Sequence, residues 1–253
     1  MEHIKTEISD RILLIKMARG KANALNSAMV DELSGVIRRA ETDPSIRAIV
    51  LASDRPKFFS GGFDVKEVFG YARETMTEFF GRFIDLYESM LLSRKPVVAA
   101  VSGHAYAGGA VLALASDARV MAQGEFGFAL NEINIGLVLP PGMMRMAIRA
   151  AGPAAARELV VAGKIFTPTD ASAVRLASEI TEAEAVIDRA LAQASELAGK
   201  PPETFGKVKR LFNEALGLPP ARSDREFLAQ FIEHWFSAES IEHKQKVIDA
   251  LRR

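Results

Sequence analysis

Cysteine is absent from the 253 residues, which excludes thiolate nucleophiles, disulfides and thiolate metal ligation. That absence fits a reducing compartment, and the expected location is cytoplasmic. An excess of charge is missing too. The 32 basic side chains balance 32 acidic ones, so no nucleic-acid footprint or polybasic membrane patch is indicated. A local basic groove for a phosphorylated ligand stays compatible with that balance. The opening residues, MEHIKTEISD, hold no apolar signal run, and no stretch reaches the roughly 18 apolar residues of a membrane helix. His3, His104, His234 and His243 are too scattered for a metal-ligand pattern, so no metal is expected. Ser60 and Ser102 lack triad partners. Neither GxGxxG nor GxxxxGK[ST] occurs.

What is present has ordinary globular proportions, 49% apolar and 25% charged. The length suits one α/β domain with an appendage, or two small domains. Arg11–Met17 (RILLIKM) reads as a strand. Met29, Leu33, Val36, Ile37 and Ala40 recur at helical spacing, with Asn26 or Ser27 to cap them and Asp43-Pro44 to stop them. Arg47–Ala52, Val97–Val101 and Arg119–Ala122 read as further strands, and Phe79 to Leu91 as an apolar helix face. Phe126–Leu130 is a short apolar segment. Helices are expected at Pro153–Val161 and Asp170–Ala177, and through most of the chain after Ala183, with breaks at Lys200-Pro201-Pro202 and Leu216–Pro220. Alternating strands and helices favour an α/β core. No internal repeat is evident.

Two glycine-rich turns lie at strand ends, SGGFD at 60–64 and AYAGGA at 105–110. Glycine lets an amide point into a cavity instead of pairing in a sheet. Amides opening a helix at Gly108-Gly109 would be unpaired and positively polarised. Converging on one oxygen, two such amides stabilise negative charge; the alternative is that both turns only reverse the chain. Glu132, among Leu130, Ile133 and Ile135, is a proton carrier with a raised pKa, a surface loop glutamate, or a glutamate paired with Arg145 or Arg149.

NALN at 23–26, FFSGGFDVKE at 58–67, SGHAYAGGAVLALASDARV at 102–120, FALNEINIG at 128–136 and GPAAARELVVAGKIFTPTDA at 152–171 occur in an order that resembles the crotonase (enoyl-CoA hydratase/isomerase) superfamily. The likeness spans about residues 4–200, and its second half is most similar to the Δ3,Δ2-enoyl-CoA isomerase branch. It implies an α/β fold, a crotonase-like ββα spiral core at 1–200 with a C-terminal helical oligomerisation region at 201–253. It also implies that Phe63 and Gly108 supply the amides of an oxyanion hole. Lys21, Ala22 and Ala24, with Asp64, Val65 and Lys66, would embrace coenzyme A. No redox or metal cofactor is implied, coenzyme A being part of the thioester substrate.

Two-glutamate hydratases of this family carry the first glutamate on the helix after AGG, where this chain has Val111, and the second aligns with Glu132. The resemblance therefore implies an isomerase in which Glu132 alone moves the proton. The alternatives are a hydratase working with Glu132 alone, an acyl-CoA hydrolase or decarboxylase, and a non-catalytic acyl-CoA-binding protein. Tyr106, Val111, Leu137 and Met143 are candidate pocket residues, although Tyr106 and the methionines at 143, 144 and 146 could equally fill the core. His104, Asp64 and Asp117 are expected to be structural, and Lys207, Lys209 and Arg210 to form a solvated face. The partners implied are an acyl-CoA substrate and further copies of the chain, in a trimer or a hexamer of two trimers. Phe205, Phe212, Phe227, Phe231 and Trp235 are the apolar residues expected to be buried between subunits, the alternative being a helical cap within the chain.

Overall fold

Ile4–Ser9 (β1) and Ile12–Met17 (β2) form an antiparallel hairpin. Its two turn residues, Asp10 and Arg11, both have positive φ (49° and 65°), the backbone that matches strand twist in two-residue hairpins. β1 has no apolar pattern to read, because only Ile4 is buried and the other five positions are exposed. The computed structural model describes residues 1–218 and 221–251; Pro219 and Pro220 of the expected break lie outside the described residues.

Ser27–Thr42 (α1) follows, with the Asn26 side chain accepting from the Met29 amide as the expected cap. The chain then winds in three turns, each adding a strand to a large sheet, a short strand to a small sheet, and a helix. Ala48–Ser53 (β3) and Phe58–Ser60 (β4) lead into Val65–Val68 (α2) and Arg73–Leu92 (α3). Val97–Val101 (β5) and His104–Tyr106 (β6) lead into Gly108–Ala115 (α4). Ala118–Ala122 (β7) and Phe128–Ala129 (β8) lead through a single 3-10 turn, Glu132–Ile135, into Pro141–Val160 (α5). Pro168–Ala173 (α6), Glu179–Thr181 (β9) and Val186–Ala198 (α7) complete the core. The large sheet runs β1-β2-β3-β5-β7-β9, parallel from β2 onward, and the small one β4-β6-β8, also parallel. This is the expected ββα spiral. Its repeat is structural, with no counterpart in residue identity.

Every residue of β3, β5 and β7 is buried, as parallel strands covered on both faces must be. One side faces the main core of α1, α3 and α4, and α7 packs across the other. The helix expected at Pro153–Val161 is only the second half of α5. The first half starts at Pro141, and Gly152 (φ 77°, ψ 165°) kinks the two together. α6 stops short of Ala177, since Arg175 takes a left-handed backbone at φ 59°. A Thr167–Asp170 capping box fixes its start.

Three further helices follow: Pro202–Ala215 (α8), Ala221–Trp235 (α9) and Ala238–Leu251 (α10). α9 packs on α3 and α5. Phe231 stacks on Phe80 at 3.7 Å between centroids, and Trp235 meets Phe69 edge-on at 5.6 Å. These two aromatics are therefore buried within the chain itself, while Phe212 on α8 stays 58% exposed. Lys209 corrects the expectation of a solvated face. It is buried, with its ammonium 2.7 Å from Asp117 and donating to the carbonyls of Met90 and Lys95. Asp117 also accepts from the Val97 amide at 2.8 Å, which ties α8 to the start of β5 and is the structural role expected of it.

Candidate active site

The two glycine turns touch. A Cβ added at Gly62 (φ 88°) would lie 2.9 Å from Ala107 Cβ and from the Tyr106 carbonyl, and one at Gly109 would lie 2.4 Å from the Ser60 carbonyl. Side chains there would push the turns apart. Ala107 holds the unusual backbone φ 48°, ψ −122° immediately before α4, a strained conformation sustained only by its surroundings. Gly108 is thus the first residue of α4, and its N–H has no intrahelical acceptor. At the other turn, Leu25 donates to the Gly62 carbonyl at 2.7 Å and accepts from the Asp64 amide at 2.8 Å. Those bonds flank Phe63 and direct its own N–H away from Leu25. The Phe63 ring meets Phe79 and Phe83 edge-on, each at 4.9 Å, which anchors the residue.

Both turns open onto a cavity of about 200 Å³. Phe63, Gly108, Val65, Tyr106, Val111, Leu137, Met143 and Glu132, all singled out from the sequence, line it. Of the other methionines, Met146 is buried and Met144 exposed. Lys21, Ala22, Ala24, Asp64 and Lys66 do not line the cavity; Lys21, Ala22, Ala24 and Asp64 sit on the adjoining loops and Lys66 in α2. The Ala22 carbonyl accepts from the Gly61 amide at 2.8 Å, and Lys21 and Lys66 project into solvent.

Among the described residues, Glu132 is the only carboxylate lining the cavity. It is 8% exposed, and its Oε2 has no hydrogen-bond partner. Burial raises its pKa to about 7, and a hydrogen bond to its own backbone opposes the shift. Pairing with Arg145 or Arg149 is overturned: Arg145 donates to the Gly217 carbonyl, and Arg149 to Asn213 and the carbonyls of Leu114 and Ser116. These arginines serve the backbone. Val111 is 1% exposed and faces the same cavity from α4.

His104 is structural. Its Nδ1 accepts from the Gly127 amide at 3.0 Å and lies 2.8 Å from the Tyr106 hydroxyl. Burial, then the charge of Lys57, lowers its pKa. Asp64 caps α2 through the Lys66 amide and pairs with Arg19 at 2.8 Å.

Several contributors escaped the sequence reading. Arg19 also donates to the Ala24 carbonyl at 2.8 Å, bracing the loop. Asn23, fully buried at φ 47°, donates to Ser53 Oγ and the Phe59 carbonyl, bolting that loop to β3 and β4. Phe80, Phe83, Phe231 and Trp235 line the cavity. Their helical spacing was legible, but nothing local says which cavity a helix faces. Among the described residues, no group of three His, Cys, Asp or Glu side chains is placed to hold a metal, and no helix is long and apolar enough to cross a membrane.

Comparison with known proteins agrees with this architecture. The family model described as enoyl-CoA hydratase/isomerase matches residues 7–250. A probable enoyl-CoA hydratase of Rhizobium meliloti is 30% identical over 239 residues, 94% of this chain and 91% of the relative. The structure of a probable enoyl-CoA hydratase of Mycobacterium tuberculosis superposes with a TM-score of 0.83 at 30% identity, covering 90% of this chain and 95% of that one. Human mitochondrial Δ3,Δ2-enoyl-CoA isomerase shares the fold, with a TM-score of 0.94 at 23% identity over 99% and 98% of the two chains. This chain belongs to the crotonase superfamily, the enoyl-CoA hydratase/isomerase family.

Proposed function

We propose that the protein isomerises 3-enoyl-CoA thioesters to 2-enoyl-CoA thioesters. The carrying observation is a cavity with one carboxylate, Glu132, and an apolar Val111 on α4. Membership of an acyl-CoA enzyme family supplies the substrate class. In this reading Glu132 takes a proton from C2; the electron pair of the broken C–H bond forms a C1–C2 double bond as the carbonyl π pair moves onto the thioester oxygen, giving a dienolate conjugated with C3=C4. The amides of Phe63 and Gly108 hold that dienolate oxygen. The protonated Glu132 then returns the proton at C4, leaving a 2,3 double bond. A group with a pKa of about 7 can both accept and return a proton near neutrality. Lys21, Ala22, Ala24, Asp64 and Lys66 would embrace the coenzyme A portion outside the cavity, together with Val65 at its lining.

Hydration with Glu132 alone is the second reading, supported by the relatives named as probable hydratases. Purified protein incubated with 3-enoyl-, 2-enoyl- and malonyl-type thioesters separates these chemistries. Double-bond migration as the dominant product is expected, and hydration without migration would refute the isomerase reading.

The region 201–253 is proposed to mediate self-association into a trimer or a hexamer. Val208, Leu211 and Phe212 leave an apolar face exposed on α8, surface that association would remove from water. Light scattering after size separation is expected to give three or six times the 27.5 kDa chain mass. A monomer at micromolar concentration would overturn this.

A further inference from the structure

Glu132 stands on a support too short to hold itself. It opens a 3-10 helix of four residues, a single turn of the less favourable helical geometry. Its carboxylate does not tie it to another element: Oε2 has no partner, and the hydrogen bond that opposes its pKa shift comes from its own backbone. The position of its side chain therefore depends on what holds that turn from outside.

The turn closes at Gly136, which has the left-handed backbone φ 66°, ψ 34° and donates its N–H to the Ile133 carbonyl at 3.2 Å. The next peptide unit, Gly136–Leu137, is held at both ends. Its N–H donates to the Glu132 carbonyl at 3.0 Å. Its carbonyl lies 3.1 Å from His234 Nε2, on α9. A carbonyl oxygen carries no proton, so Nε2–H is the donor, in the neutral and the charged imidazole alike. The peptide is planar, so fixing its oxygen also fixes its N–H. α10 packs the same corner: a Cβ added at Gly136 would lie 3.1 Å from His243 Cβ and Cγ.

We propose that His234 is a positioning residue for Glu132, locking through the Gly136–Leu137 peptide the single turn from which Glu132 faces the cavity. The proposal rests on the reading of Glu132 as the proton carrier. It assigns to α9 a role in the reaction as well as in walling the cavity with Phe231 and Trp235.

The test uses His234→Phe, which keeps a ring and removes the donor, and His234→Gln, which retains an N–H at similar reach. His234→Ala replaces the first if it does not fold. Without the donor, kcat is expected to fall about 10- to 100-fold, with KM within about twofold of wild type. Titration of Glu132, followed by NMR of ¹³C-labelled glutamate and assigned by its loss in Glu132→Gln, is expected to move away from pH 7. The glutamine variant is expected to restore both. Unchanged titration in the donor-less variants, or a change that glutamine leaves uncorrected, would overturn the role. The NMR measurement requires no turnover. An inactive wild type would therefore refute the isomerase reading while leaving the positioning role to be judged by titration.

Discussion

Replacing Glu132 by glutamine is expected to lower kcat for 3-enoyl-CoA isomerisation by about 10³- to 10⁴-fold, the upper range for loss of a general acid–base group. Glutamine fills the same space but cannot accept a proton from C2. Among the described residues lining the cavity no other side chain can substitute: Val111 is apolar, the Asn131 amide is not a base, and Tyr106 has a pKa raised by burial. In the wild type the ionised form is the base, so kcat/KM is expected to rise with pH through about 7 and then level. An undiminished rate in Glu132→Gln would sink the proposed role.

The same substitution has a stability signature of predictable sign. The folded-state pKa of Glu132 lies above its ordinary value of 4.5, at about 7. Its protonated form is therefore the one the fold favours, and its contribution is fully present below pH 4.5 and lost as pH rises through about 7. Glutamine has no such loss. Glu132→Gln is expected to gain stability over wild type above pH 8, by on the order of 2–3 kcal/mol, and to gain little at pH 4.5. Denaturant melts at the two pH values measure the difference, and equal offsets at both would contradict the buried ionisation.

Gly109→Ala is expected to be severely damaging although it adds a single methyl group. The new Cβ would sit 2.4 Å from the Ser60 carbonyl oxygen and 2.7 Å from Ser60 Cβ. The first obstacle is backbone, which cannot rotate aside. Ser60 is itself fixed, donating to the Asn23 carbonyl at 2.8 Å and accepting from the Gly62 amide at 3.2 Å. The methyl group must therefore separate the two turns or shift α4. A cost of about 3 kcal/mol follows from overpacking, and a loss of roughly 100-fold in kcat from displaced amides. Wild-type melting and turnover in this variant would refute the close apposition of the turns. Gly152→Ala tests backbone strain alone, since no atom lies within 4 Å of its added Cβ.

Much of the architecture was legible because the signals were local. The buried strand Val97–Val101 was readable as a short apolar run, Arg119–Ala122 as a return to the sheet, and α1 from its spacing and its Asn26 cap. The pairing of SGGFD with AYAGG was not. β4, β6 and β8 are two or three residues long, too short for a period-2 pattern, so their sheet was invisible. The first half of α5 was missed because its apolar residues divide between buried Met143 and Met146 and exposed Met144 and Ile148. Lys209 looked like a solvated charge because its partner Asp117 lies 92 positions away.

By itself the sequence determined the chemical inventory: no thiol, balanced charge, two turns built from glycine, one glutamate in an apolar stretch and valine on α4. Its ordered motifs determined the family. The tertiary structure alone decided that Glu132 is buried without a charged partner, that Phe63 and Gly108 open onto the same space, and that α9 closes it and reaches Gly136. The physical reason is distance along the chain. Burial, desolvation and the convergence of groups from roughly forty to about a hundred residues apart are properties of packing between turns of the spiral, and no local pattern encodes which faces will meet.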